Sequence, residues 1–279
     1  SDNGQEVSVR ATELPFPALA ILLLAGAPAA AKEGRTLFTE ERLATLRGNL
    51  ERHAWARQQR DAVVKRCEPW LARDDAAVLA LVPPPTVPRD TYVSVVGCPV
   101  HGLAVHKFGT YPWIVSLDKP WQVQCPVGKE VYPSNDFGAY LAGGMKDRSL
   151  LTGDHPDDGW GWRNPADGRK YWFVAYWNHW CLIQGGLMKA LADLPVAYLM
   201  TGDARYAHRT ALLLWQLAQY YPDYRYEKQS REGTEVNRAY YGRLLYHTWE
   251  TRTVDAVARA YDAVFPALDG DTELHRVAG

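Results

Sequence analysis

Residues 187–221 limit the fold more than any other stretch, because they carry two helical patterns separated by a turn signal. In the first pattern, apolar residues recur at spacings of four, three and four: Leu187, Leu191, Leu194 and Tyr198. That spacing places them on one helical face. The second pattern gives its helix an apolar face of Thr210, Leu213, Leu214, Leu217 and Tyr221. Pro195 interrupts the first pattern, and we expect it to kink or divide that helix.

The turn between the two patterns is Thr201-Gly202-Asp203. Gly202 suits the left-handed position that follows a helix C-terminus. Asp203 can accept a hydrogen bond from the first turn of the next helix. Such a short connection predicts two antiparallel helices, an αα-hairpin. A helical bundle or a solenoid remains the alternative architecture.

The net charge argues against one class of function, nucleic-acid binding. The chain has 279 residues and a formal net charge of −1. It therefore lacks the basic excess typical of nucleic-acid binders, and we expect no nucleic-acid partner. It carries 11 Trp and 16 Tyr but only 6 Phe. Trp and Tyr combine an apolar face with a polar edge, which suits stacking on sugar rings as well as core packing.

The first 31 residues have the layout of a secretory signal peptide. Arg10 precedes an apolar run over residues 14–27, and small residues follow at 29–31. We expect cleavage near Lys32, export to the periplasm or the medium, and no stable membrane anchor after processing. A membrane-anchored start or a disordered leader is the alternative. Because the sequence begins without Met and ends without an obvious stop signal, we also expect it to be part of a longer protein.

The next segment, residues 32–89, is expected to hold the N-terminal helices and a proline-rich connector. Helical periodicity predicts one long helix over residues 40–66 and a short one over residues 75–81. The prolines at 83–85 and 88 then force an extended chain. We place a subdomain boundary there, followed by a knuckle-like segment at 90–136 and a helical portion at 137–279.

Two similar tetrapeptide patterns in the knuckle-like segment predict a metal site. Cys98-Pro-Val-His101 and Cys125-Pro-Val-Gly128 each resemble half of a zinc knuckle, in which two ligands lie three residues apart. Gly128 occupies the place of the fourth ligand, and the nearby His106 is our candidate to replace it. A structural zinc is the favoured reading, while a Cys98–Cys125 disulfide or no link at all are alternatives.

Residues 134–180 contain a long polar loop, which is followed by the aromatic-rich start of a helix. Trp160 and Trp162 lie in the Gly- and Asp-rich part, where they could form a sugar-stacking platform or pack the loop onto the domain. Asn178 and His179 follow in the aromatic run. An Asn-His pair can hold a substrate carboxylate, but a structural role is the alternative and is favoured for a pair inside such a helix.

The order of several motifs resembles the heparinase II/III-type polysaccharide lyases. The knuckle pair ends in a YPSNDF motif, the hairpin turn is TGDARYA, a YP-x-Y motif follows, and a GR…WET…AYD stretch comes last, so that the resemblance covers about residues 97–265. It implies a mainly α fold: an incomplete α/α toroid of antiparallel helical hairpins, with the irregular knuckle-like segment inserted.

The resemblance also implies a reaction, β-elimination on an acidic, uronate-containing polysaccharide. A base removes the proton beside the uronate carboxylate while other groups stabilise the developing charge. His247 and Glu250 are spaced to lie on one helical face and are the catalytic candidates, and Tyr246 is a substrate-binding candidate. The later Asn and Tyr motifs of the family have no equivalent here, so we expect residues 32–279 alone to be inactive or nearly so.

Two other function classes stay open. A toroidal glycoside hydrolase needs two carboxylates across a cleft, and no motif in this sequence pairs two acids. A non-catalytic carbohydrate-binding scaffold needs only the aromatic surface.

Overall fold

A computed structural model describes residues 32–89, 96–224 and 250–278. The chain divides into two units, Ser1–Glu33 and Gly34–Gly279, and the elements given below belong to the second. The signal peptide proposed at 1–31 and two of the candidate site residues, Tyr246 and His247, lie outside the described residues.

The described residues are mainly helical, which confirms the predicted fold class in its coarse form. Their α-helices are α1 (Glu40–Arg52), α2 (Ala54–Leu71), α3 (Asp75–Ala80), α4 (Phe137–Ala142), α5 (Phe173–His179), α6 (Leu187–Thr201), α7 (Ala204–Tyr220), α8 (Glu250–Leu268) and α9 (Thr272–Ala278). Two antiparallel two-stranded ladders accompany them: β1 (Val123–Gln124) with β2 (Val131–Tyr132), and β3 (Trp162–Arg163) with β4 (Lys170–Tyr171).

The predicted turn between α6 and α7 forms as its residues require. Gly202 has φ 73° and donates its N–H to the Tyr198 carbonyl at 2.8 Å, closing α6. Asp203 accepts from the Arg205 N–H at 3.0 Å and caps α7. The two helices pack against each other. Pro195 lies inside α6, which continues through it as a single 15-residue helix, so of the two expected outcomes, a kink or a division, the division does not occur.

The long helix predicted over residues 40–66 is two helices instead. His53 has extended backbone, with φ −119° and ψ 128°, and separates α1 from α2. The side chain of Arg57 explains how the break is tolerated: its Nη1 donates to the carbonyls of Leu50 at 3.0 Å and Glu51 at 2.9 Å. These carbonyls at the end of α1 would otherwise lack partners. The apolar periodicity runs through the break, and the sequence therefore gives no sign of it.

The proline-rich connector lies inside the structure rather than on its surface. Val87 is fully buried, and Asn178 on α5 donates to the carbonyls of Val87 at 2.9 Å and Pro88 at 3.0 Å. The Tyr224 hydroxyl donates to the Pro83 carbonyl. Buried carbonyls without an N–H partner on the same segment need donors of this kind.

One hydrophobic core contains residues from all three segments that the sequence analysis distinguishes. Helix α2 packs against α6, α3 against α7, and α8 against both α6 and α7. Knuckle residues such as Cys98, Val105 and Trp113 belong to the same core. The knuckle-like segment is thus packed onto the helices rather than tethered beside them.

Within the described part of the chain, every helix is too short or too polar to cross a bilayer.

Candidate metal centre

The first knuckle is a tight loop closed at both ends by backbone hydrogen bonds. Cys98 N–H donates to the Gly102 carbonyl at 3.0 Å, and Gly102 N–H returns a bond to the Cys98 carbonyl at 2.8 Å. Gly97 has φ 66°, and a Cβ there would lie 2.1 Å from the Gly102 oxygen. Only glycine permits this closure. The loop brings the side chains of Cys98 and His101 together.

The second knuckle is the end of the β1–β2 hairpin. Cys125 follows β1 and Glu130 precedes β2, and the Cys125 N–H donates to the Glu130 carbonyl at 2.8 Å. Lys129 N–H donates back to the Cys125 carbonyl at 3.0 Å. The backbone N–H groups of Val127 and Gly128 face the Cys125 sulfur. Amides directed at a sulfur in this way stabilise a thiolate.

The two knuckles bring four side chains into one cluster. Cys98, His101, Cys125 and Glu130 each offer a ligand atom, and all four atoms lie within 4.8 Å of one another. His101 Nδ1 is 3.7 Å from Cys98 Sγ, 3.6 Å from Cys125 Sγ and 3.5 Å from Glu130 Oε2. Both cysteines are free thiols in this structure, so the disulfide alternative is not the arrangement observed. The cluster can hold a metal ion.

These three separations match the corresponding edges of a tetrahedral zinc site. With Zn–S near 2.3 Å and Zn–N near 2.05 Å, a tetrahedral angle places sulfur and nitrogen about 3.6 Å apart. The same calculation gives about 3.4 Å between nitrogen and a carboxylate oxygen. The observed distances of 3.5–3.7 Å lie within about 0.1 Å of these edges. The donor set of two sulfurs, one imidazole and one carboxylate suits zinc.

Glu130 occupies the space that the fourth knuckle ligand would otherwise use. A Cβ at Gly128 would lie 2.2 Å from Glu130 Oε1 and 2.3 Å from His101 Cε1. The absence of a side chain at 128 therefore lets the carboxylate reach the cluster. Among the described residues, Glu130 Oε2 is a buried oxygen without a hydrogen-bond partner. A buried carboxylate oxygen that accepts no hydrogen bond is costly unless a cation lies beside it.

The surroundings of the sulfurs are apolar and hold one phenol. Burial raises the pKa of Cys125, while the two amides of its knuckle act in the opposite direction. Burial also raises the pKa of Tyr132, whose hydroxyl lies 3.6 Å from Cys98 Sγ. Tyr132 therefore stays protonated and can donate to a thiolate at Cys98.

Tyr132 connects the cluster to the helical core. Its ring stacks on Phe173, the first residue of α5, with centroids 4.6 Å apart, and Trp113 packs edge-on against it. A metal at the cluster would therefore hold a segment whose aromatic side chains pack on α5. This placement indicates a structural role.

The fourth side chain of the cluster is not the candidate that the sequence suggested. His106 lies in the 3₁₀ turn Leu103–Phe108 and is not a member of the four-residue group. Glu130 could not be identified from the knuckle spacing, because it lies five residues after Cys125. The pairing of β1 with β2 brings its side chain to the cluster. The sequence does contain one indication of its role: Glu130 is an acidic residue two positions after Gly128, the glycine that stands where a knuckle ligand is expected.

The four candidate substrate-binding residues that the structure describes differ in their exposure and in the residues that they contact. Trp160 is 43% exposed. Trp162 is half-buried and packs against His155 and Tyr171, with centroids 4.6 and 5.5 Å away. Asn178 is buried and bonded to the connector, and its neighbour His179 ends α5.

Glu250 begins α8 and is 8% exposed. The Tyr221 hydroxyl, from the turn after α7, donates to Glu250 Oε1. This pairing was not anticipated, although Tyr221 belongs to the YP-x-Y motif. The structure thus joins a phenol to one of the two catalytic candidates, while the other, His247, lies outside the described residues.

Comparisons of this chain with protein-family models, with curated proteins and with solved structures found no match.

Proposed function

We propose that Cys98, His101, Cys125 and Glu130 bind one structural zinc ion. The observation that carries the proposal is the set of distances from His101 Nδ1 to the other three ligand atoms, which match three of the six ligand–ligand edges of a tetrahedral zinc site. Four protein ligands leave no open coordination position, which is typical of a structural rather than a catalytic zinc.

Zinc binding at this site would stabilise the knuckle-like segment. Strands β1 and β2 are two residues each, and a ladder this short is marginal without further support. The ion would link the first knuckle to the hairpin and so fix Tyr132 against α5. Because the ligands meet only in the folded chain, binding energy contributes directly to folding.

A pair of variants tests the ligand set. Glu130→Gln removes the negative charge but preserves the side-chain volume, and we expect it to weaken zinc affinity by about 10–100-fold or more. His106→Gln, the matched control, should retain wild-type affinity. Affinity is measured by competition with a chromogenic chelator. A Glu130→Gln variant that binds like wild type, together with a His106→Gln variant that loses zinc, would assign the fourth position to His106 instead.

We further propose that the chain belongs to an exported lyase that cleaves uronate-containing polysaccharide by β-elimination. Support comes from the ordered motifs, from the α6–α7 hairpin that they predict, and from the Tyr221–Glu250 pair. A phenol and a buried carboxyl in direct contact provide a proton relay of the kind that such an elimination uses.

The reaction assigns distinct tasks to the residues. His247 is the base that takes the proton on the carbon beside the uronate carboxylate. The electron pair left on that carbon forms a carbon–carbon double bond, while the glycosidic oxygen leaves with its bond electrons and takes the proton of the Tyr221 hydroxyl. Glu250 orients the Tyr221 hydroxyl through their hydrogen bond. Neutralisation of the substrate carboxylate by nearby donors makes the proton acidic enough to remove.

The test uses the full-length protein and several uronate polysaccharides. Elimination leaves a double bond conjugated to the carboxylate, so ultraviolet absorbance should rise as the polymer is cut. His247→Ala and Tyr221→Phe should each lower turnover by on the order of a hundredfold. Tyr261→Phe is the matched control, since Tyr261 is 41% exposed on α8 and should be neutral. New reducing ends without the chromophore would show a hydrolase, and binding without cleavage would show a non-catalytic scaffold.

A further inference from the structure

A groove lies between α2, α6, the loop at residues 115–118 and the turn that follows α5. Its volume is ≈ 310 Å³, which is within the usual range for small-ligand sites. Its lining includes an indole, Trp180, and three charged side chains from the two helices, Arg66, Lys189 and Asp193. None of these residues belongs to the metal cluster or to the Tyr221–Glu250 pair.

The Trp180 ring is fixed in place by its neighbours. Trp180 starts a π-helical turn, Trp180–Gln184, a local geometry that is frequent at functional sites. A Cβ at Gly185 would lie 2.3 Å from Trp180 Nε1, so only glycine lets the backbone approach the ring so closely. The Trp177 ring packs on the core side, 6.3 Å from Trp180. Trp180 is half-buried and lines the groove, which presents a pre-positioned aromatic surface there.

One cation in the groove lining has no ion-pair partner among the described residues. Arg66 forms a bidentate pair with Asp193, with N–O distances of 2.9 and 2.7 Å. The other acid in the lining, Asp118, pairs with Arg73. Lys189 is exposed and forms no ion pair with any residue that the structure describes. Both carboxylates in the lining are thus neutralised by arginines, and the Lys189 ammonium remains to attract an anion.

We propose that this groove binds a carboxylated sugar ring, with the ring face on Trp180 and the carboxylate on Lys189. An aromatic surface beside a single cation suits a flat-faced ring that carries one negative charge, because stacking and charge pairing act at the two ends of one small ligand. The choice of a sugar among anionic rings rests on the proposed polysaccharide function. The groove would hold one uronate unit of the chain, outside the reacting pair.

The experiment titrates ¹⁵N-labelled protein with glucuronate and with glucose, which share a ring and differ in the carboxylate. The Trp180 indole N–H signal is assigned from its loss in Trp180→Phe. Glucuronate should shift that signal in a saturable way, with an affinity in the millimolar range, as expected for so small a ligand. Glucose should bind more weakly, and added salt should weaken only the binding of glucuronate.

Lys189→Gln should weaken glucuronate binding about fivefold without altering the response to glucose. Lys65→Gln on the exposed face of α2, outside the groove lining, is the matched control and should have no effect. Equal affinity for the two sugars, no saturable shift of the Trp180 signal, or an unchanged Lys189→Gln variant would each overturn the proposal. Elimination activity is measured separately: cleavage without binding in the groove refutes the groove alone, and glucuronate binding without cleavage refutes the lyase alone.

Discussion

Replacing Asp157 by Asn should destabilise the segment that carries Trp160. The Asp157 side chain is fully buried, and its carboxylate accepts four backbone N–H groups. Oδ1 accepts from Gly159 at 2.8 Å and Gly161 at 2.9 Å, while Oδ2 accepts from Phe173 at 3.0 Å and Val174 at 3.1 Å. One carboxylate therefore shapes the loop around Trp160 and also satisfies the first N–H groups of α5.

The size of the effect follows from counting donors. Asn keeps one acceptor oxygen, which can serve two of the four N–H groups, and directs an NH₂ group at the other two. Each buried donor left unpaired costs about 1–3 kcal/mol, so Asp157→Asn should lower the free energy of unfolding by about 2–6 kcal/mol. That is a large part of the roughly 5–15 kcal/mol that holds a typical domain together.

Asp158→Asn is the matched control at the next position. Its side chain is 30% exposed, accepts one backbone N–H, from Trp160 at 3.0 Å, and lies 3.7 Å from Arg148. Its loss should cost less than about 1 kcal/mol. Urea unfolding gives both values, and limited proteolysis should show cleavage near Trp160 only in Asp157→Asn. Equal stability of the two variants would refute the assignment of Asp157 as the organising group.

Further predictions concern pH, the N-terminal contact and the metal. Burial raises the pKa of Asp157 from 3.8 to about 6, although the four backbone N–H groups that its carboxylate accepts act in the opposite direction. The folded state therefore keeps this proton to a higher pH than the unfolded state, and the stability contribution that is full below about pH 4 is lost as the pH rises to about 6. Urea unfolding across this pH range, compared with that of Asp157→Asn, isolates the contribution. Asp262 accepts hydrogen bonds from the N–H groups of Thr36, Leu37 and Phe38 at 2.7–3.0 Å. Asp262→Asn should therefore lower the free energy of unfolding by about 2–4 kcal/mol and make residues 34–38 sensitive to protease. Asp255→Asn, at an exposed position on the same helix, is the control and should leave both unchanged. Chelation of zinc should make residues 98–130 protease-sensitive while helical circular dichroism is largely retained, and unchanged cleavage would contradict a structural role.

Features set by adjacent residues could be predicted from the sequence. The α6–α7 turn depends on Gly202 and Asp203, whose conformational and capping preferences act within a few residues. Cys98, His101 and Cys125 were likewise predictable, because each knuckle is a local turn.

Features set by distant partners could not be predicted. The Phe173 and Val174 N–H groups that Asp157 accepts are 16 and 17 residues away in sequence, and no local pattern marks them. Glu130 reaches the cluster only through the register of β1 and β2. The break at His53 depends on the Arg57 side chain, while the apolar spacing continues across it.

X-ray absorption at the zinc edge tests the central claim most directly, since it counts the ligands around the ion. The purified protein should give two sulfur neighbours at about 2.3 Å and two nitrogen or oxygen neighbours at about 2.0–2.2 Å. Glu130→Gln should alter the nitrogen and oxygen shell and leave the two sulfurs in place. Zinc absent from the pure protein, or a shell without two sulfurs, would contradict a Cys98–His101–Cys125–Glu130 centre.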